Sequence, residues 1–188
     1  LVWTTTPWTL ISNVALAVGP EYDYVKISHQ GDILILAEAL LGVVEGDYEV
    51  LEKFKGSKLV GKRYEPCFPY FKDAEGGFRV IAADFVTLTD GTGIVHTAPA
   101  FGEDDYRAGT EENLPFVQPV DQDGKFTDEV EKWAGRFVKD CDEEIIADLD
   151  ERGLLYRSEE IRHSYPFCWR CDSPLLYYAR RSWYIKTT

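Results

Sequence analysis

The sequence predicts a mixed, β-rich fold, all-β or α+β, with peripheral helices, on three observations. Five short β-like segments fill the N-terminal half, separated by Gly, Pro or Asp. One strong helical pattern lies in the C-terminal third, and between them the apolar pair Ile94-Val95 runs into a turn rich in Gly and acids. At 188 residues with 45% hydrophobic content the chain can bury one substantial core, so one domain is the natural count.

In chain order, Leu1-Val2-Trp3-Thr4-Thr5-Thr6-Pro7-Trp8-Thr9-Leu10 places four hydroxyls and two indoles in ten residues. Thr and Trp both favour sheets, so an ordinary strand competes here with a site. A nucleophilic threonine is a weak reading, because such enzymes use the amine of an N-terminal Thr as base and these threonines are internal. The β-like segments are Val14 to Val18, Tyr22 to Ile27, Asp32 to Leu36, Tyr48 to Phe54 and Phe78 to Ala82, a spacing that fits a barrel or a sandwich. Ala37 to Leu41 can begin a short helix. Two prolines in Tyr64-Glu65-Pro66-Cys67-Phe68-Pro69-Tyr70-Phe71 predict an extended segment crossing the surface, with no chemistry of its own. Asp121-Gln122-Asp123-Gly124 has the start of a calcium loop but lacks its later ligands and closing Glu, which favours a β-turn. A helix is predicted from Asp140 to Arg152, with Ile145, Ile146 and Leu149 on one face and Gly153 to stop it, covering an open end of the sheet. Internal repeats and low-complexity segments are absent from the sequence.

The densest stretch is Gly91 to Tyr106, which holds turn glycines, a lone His and three carboxylates. Ile94-Val95-His96-Thr97 reads as a strand end, and Pro99 with Gly102 forces a turn. Glu103, Asp104 and Asp105 then crowd the first turn of a helix, where acids meet the positive end of the backbone dipole. For His96 the alternatives are a site residue or a hydrogen-bonded core histidine; for the acids, a site or simple capping.

Together WTTTPWT and GTGIVH-AP-FG-(acid)-D closely resemble the editing (CP1) domain inserted in isoleucyl-tRNA synthetases, class I aminoacyl-tRNA synthetases. Weaker similarity continues through Asp121-Gln122-Asp123-Gly124-Lys125-Phe126 to His163-Ser164-Tyr165-Pro166-Phe167-Cys168-Trp169-Arg170-Cys171, so it covers nearly the whole chain. The resemblance implies a closed or partly closed β-barrel with helical insertions over 1–160. It also implies a return stem toward a parent catalytic domain over 161–188, carrying half a zinc knuckle. The implied activity is hydrolysis of mischarged Val-tRNA(Ile). His96 after Gly93-Ile94-Val95, and Phe101-Gly102 where valyl and leucyl sisters usually carry His-Asp, favour the isoleucyl assignment over theirs. A non-catalytic insertion that only guides the acceptor strand is the other alternative.

The chain begins at Leu1 and contains no Met, which reads as a domain taken from a longer protein. No apolar run is long enough to span a membrane, and the start lacks the order of a secretory signal. A cytoplasmic parent and a monomer are expected. The net charge of −13 argues against nucleic acid, whose phosphates call for a basic surface. The tail from Arg157 to Lys186 is locally basic, with Arg162, Arg170, Arg180 and Arg181. The expected partners are therefore the tRNA acceptor end, held weakly by this segment alone, and the rest of the parent synthetase.

Cys67 and Cys141 are isolated thiols. Cys168 and Cys171 have the spacing of half a zinc site, yet zinc takes four ligands and the chain has no second pair. His163 is a weak third candidate. In the resembling family the other cysteines come from a strand outside this segment, so zinc is expected only with ligands from the parent. No cofactor is expected for the editing reaction itself.

The implied task sets the chemistry. Isoleucine and valine differ by one methylene, worth only about 1–3 kcal/mol in an apolar pocket, and this pair in this synthetase is the standard illustration of that limit. A second sieve must then admit valine, exclude isoleucine and hydrolyse the ester. The resemblance assigns Asp105 to the substrate ammonium, with Asp104 as its solvated rival. It places His96, Thr6 and Thr9 around the side-chain pocket, where β-branched threonines are stiff. Thr4 and Thr5, with backbone amides near Gly91 to Gly93 and Thr4 to Thr6, are candidates to place water and stabilise the oxyanion. Trp8 is either a stacking partner for the terminal adenine or a core indole. The sequence has no Ser-His-Asp or Cys-His arrangement that demands a covalent intermediate.

Overall fold

The computed structural model describes residues 1–159, 166–183, 185 and 187. Six strands form two three-stranded sheets: β1 (Ala15–Val18), β2 (Asp23–His29), β3 (Asp32–Ala37), β4 (Glu49–Lys55), β5 (Arg79–Ala82) and β6 (Ile94–Thr97). One sheet has the order β5-β1-β6, with β1 parallel to β5 and antiparallel to β6; the other is the antiparallel β3-β2-β4. The α+β form of the expectation holds, with small sheets and short helices, and the chain is not dominated by strands. A continuous closed barrel ladder is not seen among the described residues. The sheets are instead joined through loops: the Ala37 amide donates to Thr92 O at 2.9 Å and the Tyr24 hydroxyl to Gly93 O at 2.6 Å.

Each predicted strand is present with ends shifted by one or two residues. Gln30 and Gly31, both at positive φ, close the two-residue hairpin between β2 and β3. β2 is buried along most of its length, whereas β4 is exposed along nearly all of its own.

Three sequence expectations change. Leu1–Leu10 is not a strand: Pro7–Ser12 is a 3₁₀ helix, because Pro7 occupies its first turn, where a missing N–H costs nothing. The C-terminal helix is two pieces, a 3₁₀ turn Val138–Cys141 followed by α2 (Asp142–Glu151). It covers the Pro7–Ser12 segment rather than a sheet end. Ile145 and Leu149 enter the core there with Trp8, Ile11, Phe126 and Trp133. Finally, the segment around Pro66 and Pro69 is no surface strap. Phe68 is buried edge-on against Trp133, ring centroids 5.9 Å apart, and Cys67, Tyr70 and Phe71 pack on the same core.

Other expectations stand. Ala37 to Leu41 does begin a short helix, the 3₁₀ segment Glu38–Val43. Asp121 forms a turn, its carboxylate accepting from the Asp123 and Lys125 amides at 2.9 Å. α1 (Glu103–Glu111) starts at Gly102 with all three acids in its first turn. Among the described residues no helix is long and apolar enough to cross a membrane. The expected boundary at 160/161 and His163 lie outside the described residues.

Candidate functional site

β6 ends at His96 and Thr97, beside the start of the threonine segment, through a parallel bridge between Trp3 and Val95. Two glycines make this approach possible. A Cβ at Gly91 would lie 2.8 Å from the Trp3 ring and one at Gly93 would lie 2.4 Å from the Ala37 Cβ, and both residues sit at positive φ.

The threonines are wired to one another. Thr6 N–H donates to Thr4 Oγ1 at 3.1 Å, which removes that amide from the oxyanion candidates. Thr6 Oγ1 lies 3.0 Å from Thr9 Oγ1, and Thr9 Oγ1 lies 3.2 Å from His96 Nε2 and donates to Thr6 O at 2.8 Å. Because the Thr9 proton goes to Thr6 O, its oxygen is left to accept, which suits a proton on His96 Nε2. His96 Nδ1 is buried with no hydrogen-bond partner among the described residues. Burial lowers the imidazole pKa to about 4, so the ring is neutral at pH 7.

A cavity of about 630 Å³ opens onto this group, lined by Thr4, Thr5, His96, Tyr64, Asp142 and Tyr156 among others. The structure thus brings Thr4, Thr5 and His96 onto one cavity; Thr9, bonded to the imidazole, and Thr6, bonded to Thr9, are not part of its lining. Trp8 is elsewhere. Only 3% exposed, it packs edge-on against Phe101 at 4.9 Å. The core alternative is the one found, and burial leaves no ring face open to an adenine.

Asp105 lies outside the cavity lining. Its carboxylate folds back over Gly102, where a Cβ would meet Oδ2 at 2.2 Å, and accepts a hydrogen bond from the Ala98 amide, two residues past His96. Burial raises its pKa to about 6, with a smaller upward push from Asp104. Asp104 is exposed and pairs with Arg107 at 3.2 Å, as a solvated neighbour should.

Sequence reasoning missed Asp142, Tyr64 and Glu65, all on the cavity. Tyr64 donates to Asn13 Oδ1 at 2.5 Å. Asp142 Oδ1 accepts from the Trp8 amide at 2.9 Å, and burial raises its pKa to about 6. No local pattern signals a contact spanning 134 residues.

Cys168 and Cys171 sit in a tight turn, with the Asp172 amide bonded to Cys168 O and the Cys168 amide to Ser173 O. Hydrogen bonding with Ser173 and Cys168 lowers the Cys171 pKa, which suits a thiolate ligand. The two thiols fit half of a tetrahedral zinc site, and no group of three potential ligands exists among the described residues.

A second groove, about 1020 Å³, runs beside α1 and is lined by Phe101, Tyr106, Phe116, Tyr177, Arg180 and Arg181 among others.

No family model matches the chain. Curated relatives do. Isoleucine–tRNA ligase of Clostridium acetobutylicum is 56% identical over 188 residues, all of this chain and 18% of the relative. The enzyme of Bacillus thuringiensis (strain Al Hakam) is 55% identical over 189 residues, again all of this chain and 18% of the relative. The chain therefore spans less than a fifth of the length of these relatives. Among solved structures, GlLeuRS-CP1 superposes with a TM-score of 0.64 at 16% identity, covering 84% of this chain and 83% of that one. The editing domain of the P. falciparum cytosolic leucyl-tRNA synthetase gives 0.60 at 13% identity, covering 94% and 78%. At such low identity the structural likeness establishes the fold alone. Along its whole length the chain is homologous to one segment of isoleucine–tRNA ligases, and it has the fold of a CP1 editing domain.

Proposed function

We propose that this segment hydrolyses the ester of Val-tRNA(Ile), clearing valine from tRNA charged in error by its parent synthetase. The observation that carries this reading is the neutral His96, fixed by Thr9 and facing a cavity that Thr4 and Thr5 also line. A small rigid wall without charge accepts an apolar side chain and stops a longer one.

In the reaction, water attacks the ester carbonyl, the bond to the ribose oxygen breaks, and a proton moves to that oxygen. A pKa of about 4 makes His96 a weak base. The imidazole therefore shapes the pocket, while the substrate's neighbouring ribose hydroxyl helps to place the water. The Thr4 and Thr5 hydroxyls serve the developing oxyanion. Asp105 turns out from Gly102 to hold the ammonium, in a charge-assisted bond about twice as strong as a neutral one. The relatives at 54–56% identity are isoleucine–tRNA ligases, which supports the isoleucyl assignment over its sisters.

The aromatic and arginine groove favours a second contribution, contact with the single-stranded acceptor end. If that were the segment's whole role, Asp105 would be dispensable. The parent supplies most of the tRNA grip, the remaining zinc ligands for Cys168 and Cys171, and a cytoplasmic setting; this segment adds no subunit contact of its own.

Deacylation of Val-tRNA(Ile) by the full synthetase, with and without Asp105→Ala, tests the reading. It requires Val-tRNA to be cleared, Ile-tRNA to be spared and the variant to lose clearance. Unchanged clearance in the variant leaves the acceptor-guide reading in its place.

A further inference from the structure

Residues of helical first turns carry amides with no partner inside the helix. In the 3₁₀ helix Pro7–Ser12, Pro7 has no N–H, so Trp8 carries the first such amide. The ordinary solution is a hydroxyl at the residue before the helix, and Thr6 stands there. Yet Thr6 makes no side-chain cap. Its hydroxyl faces Thr9 Oγ1 at 3.0 Å and Thr4 Oγ1 at 3.4 Å. The Trp8 amide is instead satisfied by Asp142 Oδ1 at 2.9 Å, reaching from the first turn of α2.

We propose that Asp142 is a positioning residue for the editing site: by capping the Trp8 amide it releases the Thr6 hydroxyl to the Thr4–Thr6–Thr9–His96 chain, which fixes the imidazole wall. This rests on the proposed hydrolysis of Val-tRNA(Ile).

The placement is specific. Asp142 sits on α2 in the turn before the core-facing Ile145 and Leu149, which share one cluster with Trp8 and Ile11, so its backbone is held by the same packing that holds the 3₁₀ helix. Asp142 also lines the cavity, so the cap is formed at the site's own edge rather than on a remote surface. Without the carboxylate, the buried amide must find another acceptor, since an unmet buried donor is costly. The nearest hydroxyl preceding it in sequence is that of Thr6, and its capture by Trp8 would leave Thr9 to hold His96 alone.

The consequence differs from simple loss of stability. A loosened wall costs turnover and also discrimination. The test uses the full synthetase with Asp142→Ala and Asp142→Asn, the latter because its side-chain carbonyl can accept the same bond. Single-turnover deacylation of Val-tRNA(Ile) and Ile-tRNA(Ile) is measured, with isoleucylation as the control for folding. Asp142→Ala should lower the Val-tRNA rate at saturation by about tenfold or more with little change in KM, the equivalent of one lost buried hydrogen bond. It should also raise Ile-tRNA hydrolysis relative to Val-tRNA, and Asp142→Asn should recover both most of the way.

Wild-type rates and discrimination in Asp142→Ala, with isoleucylation intact, overturn the inference. So does a loss of rate that Asp142→Asn fails to rescue, since the carboxylate would then act by its charge and not by capping. If the wild-type enzyme itself does not clear Val-tRNA, the proposed function has failed, and that outcome is read before either variant is compared.

Discussion

Thr9 Oγ1 lies 3.2 Å from Nε2 of His96, across 87 residues of sequence. Together with the Trp3–Val95 bridge, that contact ties the threonine segment to the end of β6. Both readings of His96 meet in it. The ring is hydrogen-bonded as a core histidine would be, and it lines a cavity as a site residue would. Its neutrality follows from burial alone, so the wall it forms is uncharged throughout the physiological range.

Removing that wall should change which ester is cut. His96→Ala opens space for the extra methylene, so the full enzyme should begin to hydrolyse correctly charged Ile-tRNA(Ile), to within about tenfold of its Val-tRNA rate, since one methylene discriminates by about 1–3 kcal/mol. Deacylation of the two purified aminoacyl-tRNAs checks this. Continued sparing of Ile-tRNA would show that another residue sets the limit.

With Asp105 holding the ammonium as proposed, the reaction should show an acid limb. The Asp105 pKa is raised to about 6, so the carboxylate loses charge as pH falls through 6, and the ammonium loses its partner. Val-tRNA clearance should fall by up to about tenfold per pH unit below that point, while Asp105→Asn should be slow and flat over the same range. Stability runs the opposite way. A carboxyl raised from 3.8 to about 6 binds its proton more tightly in the folded state. Its stabilising contribution is full below about 4 and is lost as pH rises to about 6.

Gly102 offers a check that needs no substrate. Its φ of −156° is ordinary extended backbone, so alanine is tolerated there without strain. The added Cβ would meet Asp105 Oδ2, the far end of a flexible side chain, at 2.2 Å. Gly102→Ala should therefore fold normally, move the carboxylate into solvent and bring its pKa down toward 3.8. Carbon-detected NMR titration of Asp105 reads this directly; a pKa still near 6 would contradict the packing of the carboxylate over Gly102.

Zinc should follow the parent and not this segment. Cys168 and Cys171 are free thiols that offer two donors, and no group of three potential ligands exists among the described residues. Metal analysis should find well below one zinc per isolated chain, and Cys168→Ser with Cys171→Ser should remove one zinc from the full synthetase. A tightly held equivalent in the isolated chain would show that the segment completes the site with ligands of its own.

Strands are legible because they carry short apolar runs between breakers, a local signal; β1 through β5 differ from expectation only at their ends. Their pairing is not legible, since the parallel β1–β5 contact is set by packing across about sixty intervening residues. The Thr/Trp segment reads as strand-like because propensity outweighs Pro7, which in fact starts a 3₁₀ helix. Of the site, His96 and the threonines are visible as a motif. Asp142 is hidden among the many acids of a solvated helix start, and only its contact with the Trp8 amide sets it apart.

The most direct measurement is calorimetric titration of this segment with non-hydrolysable valyl-adenosine and isoleucyl-adenosine analogues, which probe the cavity without the tRNA grip. The valyl compound should bind at least about tenfold tighter than the isoleucyl one, the scale of one excluded methylene. Equal affinity for both would contradict the second sieve at His96.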